Sequence, residues 1–298
     1  MDMMQKYADA AGKRSIRQYC PPRCYELAGK TLRFVVDTGE GAGTYTLNFT
    51  GKTELEWSYE GGAPRVETYE CRKSDDDTYL LTYTLAAKEP QENYTWVIDM
   101  ENELVTCLRC AVGENPLYPL LVDSYFGFGY IAVEGKAHTD VRRHGFTGDL
   151  TGTCVRWTYG HALSTIHVYH DPHWYRIGYP KSQLESDDVS DAVRSIRALM
   201  KEMPSSDEPA YYVRIKEGMY FVSLTEQNIE KILGARFGFR SDTLCFLDNW
   251  NQLISVGRAF GTWTKGGKDE PLLMMIGKYG SPEEVDEHFF TDPIPYLT

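Results

Sequence analysis

The chain is short of positive charge. Its 298 residues carry 31 Lys and Arg against 43 Asp and Glu, a formal net charge of −12. That deficit excludes the clustered cations that nucleic-acid phosphates require. It also argues against docking on anionic membrane surfaces. No run approaches the roughly 20 apolar residues of a membrane-spanning helix. The start, MDMMQKYADAAGKRSIRQY, spreads its charges and has no apolar core, so no secretory signal is expected in it. Strong helix-forming stretches are few. There is no GxxxxGKS or GxxxxGKT phosphate loop, no HExxH and no Ser in a nucleophile elbow. Gly127-Phe-Gly129 lacks the strand–turn–helix setting of a dinucleotide site. No cofactor and no metal are therefore expected, and neither nucleic acid nor membrane is expected as a partner. The seven Cys are an odd number, which fits reduced thiols and a cytoplasmic location. On that reading the glycosylation-like triplets at Asn48 and Asn93 are accidental.

What is abundant is aromatic: 21 Tyr, 12 Phe and 6 Trp. Aromatic side chains suit pleated, half-buried surfaces and point to a β-rich protein. The apolar period is two. Tyr45, Leu47 and Phe49 alternate with polar neighbours, as do Leu55, Trp57 and Tyr59, and then Tyr79, Leu81, Tyr83 and Leu85. Glycine-rich and acidic turns separate these runs, which predicts short antiparallel strands.

Three blocks recur in the same order. LAGKTLRF at 27–34 matches LTGTCVRW at 150–157. DTYLLTYTL at 77–85 matches EGMYFVSLTE, with Tyr79 opposite Tyr220. IDMENELVTCLR at 98–109 matches LDNWNQLISVGR at 247–258, aligning Asp99 with Asp248 and Arg109 with Arg258. The spacing between copies widens along the chain, so the second copy carries insertions. The expected fold is all-β and mostly antiparallel: two tandem calycin- or lipocalin-like β-barrels, each a meander closed on itself so that no edge is exposed. The expected division is an amino-terminal arm over 1–26, a first barrel over 27–135 and a second over 145–298. In the second, SDDVSDAVRSIRALMKEMP predicts an inserted helix over about 186–203, with Val193, Ile196, Met200 and Met203 on one face. It serves as a plug or as a lid. Ser281-Pro-Glu-Glu284 predicts a short helix in the tail.

The two copies together resemble the MoaF family, proteins built from two lipocalin-like halves. LAGKTLRFVVDTGEGAGTYTLNF resembles its amino-terminal half. RWTY, IHVYHDPHWY, MYFVSLTEQ and FLDNWNQLISVGRAFG resemble its carboxyl-terminal half. The second copy is also similar to phenolic acid decarboxylases. That likeness implies that Glu226, closing EGMYFVSLTE, takes the catalytic-carboxylate position, and that Tyr159 takes one of two carboxylate-binding positions. Trp157 stands where the other binding Tyr would be. The decarboxylases' Arg after the YRI strand has no aligned partner, leaving Arg194, Arg197 or Arg214 as stand-ins.

Chemistry is expected in the second copy, because Leu85 replaces Glu226 in the first. A carboxyl inside a barrel is desolvated and suited to proton transfer, whereas one at a strand end is open to water. Arg33 and Arg156, like Arg109 and Arg258, recur between copies. They either pack the barrel ends or anchor an anion. His167 and Tyr169 share a strand face. His170 faces the other way, so His167, His170 and His173 are not expected to bind a metal. Cys107 with Cys110, and Cys20 with Cys24, lack paired zinc spacing.

The expected ligand is a small aromatic or apolar molecule. The candidate catalytic residues are Glu226 and Tyr159. The candidate ligand-binding residues are Arg156, Trp157, His167, Tyr169, Arg176, Arg214, Tyr220 and Arg258. The expected function is a cofactor-free, metal-free lyase-like step (decarboxylation, dehydration or isomerisation) on a small aromatic or conjugated acid. The alternative is a non-catalytic carrier of an apolar ligand. A homodimer is left open.

Overall fold

Short strands, each alternating between an inward and an outward row, make up the fold. A computed structural model describes residues 17–85, 87–89, 91–113, 122–138, 140–160, 163–180, 205–228, 239–265 and 268–283. The first eight strands are β1 (Thr31–Gly39), β2 (Gly43–Asn48), β3 (Glu54–Tyr59), β4 (Arg65–Lys73), β5 (Thr78–Thr84), β6 (Glu92–Asp99), β7 (Leu104–Val112) and β8 (Val122–Ile131). Next come β9 (Gly145–Phe146), β10 (Thr153–Gly160), β11 (Leu163–Asp171), β12 (Trp174–Gly178), β13 (Ser205–Lys216), β14 (Met219–Leu224), β15 (Phe239–Asn249), β16 (Ile254–Lys265) and β17 (Lys268–Pro282).

Strands β1 to β8 pair in chain order, and β8 returns to β1, closing a barrel. All of these pairings are antiparallel. Close approach at the seam needs glycine: a Cβ on Gly129 would lie 1.9 Å from the Val35 carbonyl oxygen. Aromatic rings pack against one another in the interior. Tyr83 and Tyr94 stack at 5.5 Å, Trp57 lies 5.8 Å from Tyr83, and Phe34 packs 5.0 Å from Trp96. Of the expected arm, Cys24 is buried and donates its backbone N–H to the Cys71 carbonyl oxygen at 2.9 Å.

Strands β10 to β17 repeat this plan. Their order is β12-β11-β10-β17-β16-β15-β14-β13, a β12–β13 pairing closes the ring, and β9 adds to β13 outside it. By compactness, Pro21–Phe146 with Val213–Phe221 forms one unit, and the remaining described residues form the other. The expected helix over about 186–203 lies outside the described residues, and Ser281 and Pro282, expected to start a tail helix, instead end β17. No helix among the described residues is long and apolar enough to cross a membrane.

The repeat is visible in the backbone. Gly29 and Gly152 both enter the first strand of their barrel at positive φ, 79° and 86°. The β6–β7 and β15–β16 turns each hold one non-glycine residue at positive φ, Glu103 at 56° and Leu253 at 51°. Asp99 Oδ1 accepts the Asn102 N–H in the first turn, and Asn249 Oδ1 accepts the Gln252 N–H in the second, both at 3.2 Å. Asp99 is therefore equivalent to Asn249. The alignment of Asp99 with Asp248 and of Arg109 with Arg258 is one residue out. A one-residue slip moves every side chain to the opposite face of its strand. Asp248 thus takes the interior position that Ile98 holds in the first barrel.

Candidate functional site

The first barrel serves as an internal reference for the second. Cross-strand partners share a face, so the register gives matching layers. In the first barrel one interior layer reads Ile98, Val105 and Gly129. In the second the same layer reads Asp248, Ser255 and Lys278. Leu47, paired with Leu32, is replaced by His167, paired with Val155. Leu55, paired with Glu67, is replaced by Tyr175, paired with Glu208. The repeated block places Glu226 where the first copy has Leu85. Six apolar or glycine positions have thus become ionisable or hydroxylic, all on the inward face.

Lys278 and Asp248 carry no exposed side-chain surface, and Nζ stands 3.5 Å from Oδ1. That is an ion-pair distance without hydrogen-bond geometry: neither Nζ nor either carboxylate oxygen has a hydrogen-bond partner. Nζ lies 3.6 Å from the centre of the Phe246 ring and 4.2 Å from that of Trp157. Burial lowers the Lys278 pKa to about 8, with Asp248 and Glu226 opposing the shift. Burial likewise raises Asp248 above the usual carboxylate range, with Lys278 and Ser255 opposing. Both groups are driven toward neutrality by desolvation.

Glu226 follows β14. Its side chain is partly buried. Tyr175 Oη donates to Glu226 Oε1 at 3.2 Å. Burial, reinforced by the charge of Glu208, raises the Glu226 pKa to about 8. Glu208 is held as an acceptor, by Ser206 Oγ at 2.8 Å and the Asn228 N–H at 2.9 Å. Tyr159 is buried, with Thr165 Oγ1 at 3.5 Å from its hydroxyl. Burial raises the Tyr159 pKa, and the charges of Glu226 and Asp248 add to the rise.

His167 is fully buried. Its Nδ1 lies 3.5 Å from Tyr169 Oη, and its Nε2 has no partner. Burial, helped by Lys278, holds its pKa well below the usual value, so the imidazole is neutral. The ring of Tyr175 lies 5.0 Å from His167. Trp157 Nε1 donates to Tyr169 Oη at 3.3 Å, and Trp250 packs edge-on to Trp157 at 6.4 Å. Trp157, Tyr159, His167, Tyr169 and Glu226 therefore belong to one inward-facing set.

The arginines do not join it. Arg156 alternates with Trp157 on β10 and donates to Glu283 Oε1 at 2.7 Å. Arg176 forms a two-pronged bond to Asp207, at 2.7 and 2.9 Å, and His170 Nε2 lies 3.3 Å from the same carboxylate. Arg258 pairs with Cys245, opposite in parity to Phe246, and donates to the Thr243 carbonyl oxygen at 2.6 Å. Its row faces away from the interior. Arg214 is exposed, and Tyr220 is half-buried on β14. Arg194 and Arg197 lie outside the described residues. Among the described residues no group of three His, Cys, Asp or Glu is arranged to hold a metal ion.

Sequence reasoning missed Lys278, Asp248 and Tyr175. Lys278 had a signal: it is the one charge in the apolar run LLMMIGKYG. Asp248 was hidden by the misaligned turn.

The fold defines a tandem calycin-like protein with a polar interior in its second barrel. Residues 9–113 match the family described as MoaF N-terminal domain, in agreement with the likeness read from the first copy. A search of curated proteins returns no match.

Proposed function

We propose that the second barrel binds a small aromatic or conjugated acid and moves a proton on it without a cofactor, in a lyase-like step. The observation that carries this reading is the contrast between copies of one fold. Where the first barrel keeps Ile98, Leu47, Leu55 and Leu85, the second has Asp248, His167, Tyr175 and Glu226. Burying ionisable groups costs stability, most of all for Asp248 and Lys278, which have no hydrogen-bond partner, and the first barrel folds the same way without them. Such groups therefore favour a site over a purely structural role.

Lys278 supplies positive charge for a carboxylate inside the barrel, in place of the arginines that face away. Tyr159 supplies a hydroxyl donor. Glu226, with its pKa near 8, exists in both protonation states near neutrality and so suits general acid–base work. The aromatic walls, Trp157, Tyr169 and Trp250, suit a flat conjugated body. The resemblance of EGMYFVSLTE and WTY to phenolic acid decarboxylases supports the same assignment of Glu226 and Tyr159.

Incubation with 4-hydroxycinnamate, followed by ultraviolet loss of conjugation, tests the reading. Turnover that disappears in Glu226→Gln supports the lyase. A ligand retained in native mass spectra without turnover supports the carrier. Neither turnover nor binding removes the second barrel as a ligand site.

A further inference from the structure

We infer that Lys278 captures a small aromatic or conjugated aldehyde or ketone as a covalent iminium, with Asp248 as proton donor and counter-ion. The inference rests on the reading that the second barrel admits a conjugated ligand, and it adds that the ligand carries a carbonyl. Packing does not call for a lysine at this position. The first barrel closes the same layer with Gly129, where even a Cβ would collide with the backbone, and with Ile98 across the layer. Folding does not require the ion pair either, since an apolar pair of similar volume serves as well or better.

Three features suit Lys278 to attack a carbonyl. Its Nζ makes no hydrogen bond, so the lone pair of the free amine is not engaged. It lies over the faces of Phe246 and Trp157, aromatic neighbours suited to stack on a conjugated carbonyl compound. Burial brings its pKa to about 8, so a useful fraction is free amine near neutrality. The chemistry balances without an oxidant or reductant. The Nζ lone pair forms a bond to the carbonyl carbon, and a proton passes from nitrogen to oxygen to give the carbinolamine. Asp248, whose carboxyl is biased toward its protonated form, then gives a proton to the departing hydroxyl. Water leaves, the C=N bond forms, and the iminium cation remains beside the Asp248 carboxylate, the two groups being 3.5 Å apart before reaction.

The test treats the full-length protein at neutral pH with 4-hydroxybenzaldehyde, then with sodium borohydride, which reduces an iminium to a stable secondary amine. The adduct is located by intact mass and peptide mapping. A single borohydride-dependent adduct on Lys278, absent from Lys278→Met, is the expected result. Asp248→Asn, which retains the amine, is expected to slow adduct formation by at least about tenfold. Lys278→Met/Asp248→Leu replaces the whole pair and keeps the comparison valid if the single variant fails to fold. Adducts spread over other lysines, equal in the wild type and the Lys278 variants, would overturn the inference. If 4-hydroxycinnamate binds in native mass spectra while Lys278 stays unmodified, the covalent inference falls and the proposed function stands. If neither compound binds, both fall.

Discussion

Lys278 and Asp248 face each other on the inward side of the second barrel, each reaching the other through Ser255 on the strand between them. The equivalent pair in the first barrel is Gly129 and Ile98. One duplicated layer is therefore charged in one copy and apolar in the other, and the following predictions turn on that difference.

Breaking the pair on one side should be costly. Lys278→Met or Asp248→Leu alone leaves an unpartnered buried ionisable group, and a loss of about 3–5 kcal/mol is expected in denaturant unfolding. The double variant should recover most of that loss, because it restores the apolar character of the first barrel. A double-mutant cycle in urea measures both effects.

Stability should depend on pH in two opposed windows. The Glu226 carboxyl has its pKa raised from 4.5 to about 8 on folding, so the folded chain holds a proton that the unfolded chain has lost. Its contribution is full below pH 4.5 and is lost as pH rises through about 8. The Lys278 ammonium has its pKa lowered from 10.5 to about 8, so its contribution is full above 10.5 and is lost as pH falls through about 8. Together they place a minimum in their joint contribution near pH 8. Thermal unfolding from pH 5 to pH 10.5 should show Glu226→Gln flattening the acid side of that minimum and Lys278→Met the alkaline side. Asp248, His167 and Glu208 face the same groups, so the comparison is between variants at each pH.

If Glu226 transfers the proton, Glu226→Gln should lower kcat by about 100- to 10,000-fold while leaving ligand affinity within a few fold. Tyr175→Phe gives a subtler readout. The Tyr175 hydroxyl opposes the rise in the Glu226 pKa, so its removal should move the Glu226 limb of the pH–rate profile to higher pH. A uniform loss of rate without that shift would count against Glu226 as the titrating group.

The first barrel should respond as a packed core. Tyr83 is fully buried and stacked on Tyr94. Tyr83→Ala should cost about 3–5 kcal/mol by opening a cavity. Ligand binding, measured by native mass spectrometry at a temperature where the variant stays folded, should not change.

Much of the architecture was legible in the residues. Period-two runs such as Tyr45, Leu47 and Phe49 became inward rows because side chains alternate along a strand. Gly29 and Gly152 marked equivalent strand starts because both hold the same left-handed backbone. The meander order followed from short turns, since antiparallel neighbours need little connecting chain. The candidate site was legible only in part. Tyr159, His167 and Tyr169 could be placed on an inward face by parity from Trp157. Arg156 alternates with Trp157 and donates to Glu283, on the other face of β10.

By itself the sequence determined the local pattern: a duplicated meander of amphipathic strands, with Glu226 replacing a leucine in the second copy. Only the tertiary structure decided which polar residues meet. The matching turns make Asn249, not Asp248, the counterpart of Asp99, so Asp248 faces inward and Arg258 outward, since a strand turned by one residue presents its other face. Lys278 met Asp248 because the β15–β16 and β16–β17 pairings set both beside Ser255 on one face, and the barrel walls that face off from water. Solvent exclusion, which no local pattern encodes, is what drives an ordinary amine and carboxyl toward their neutral forms.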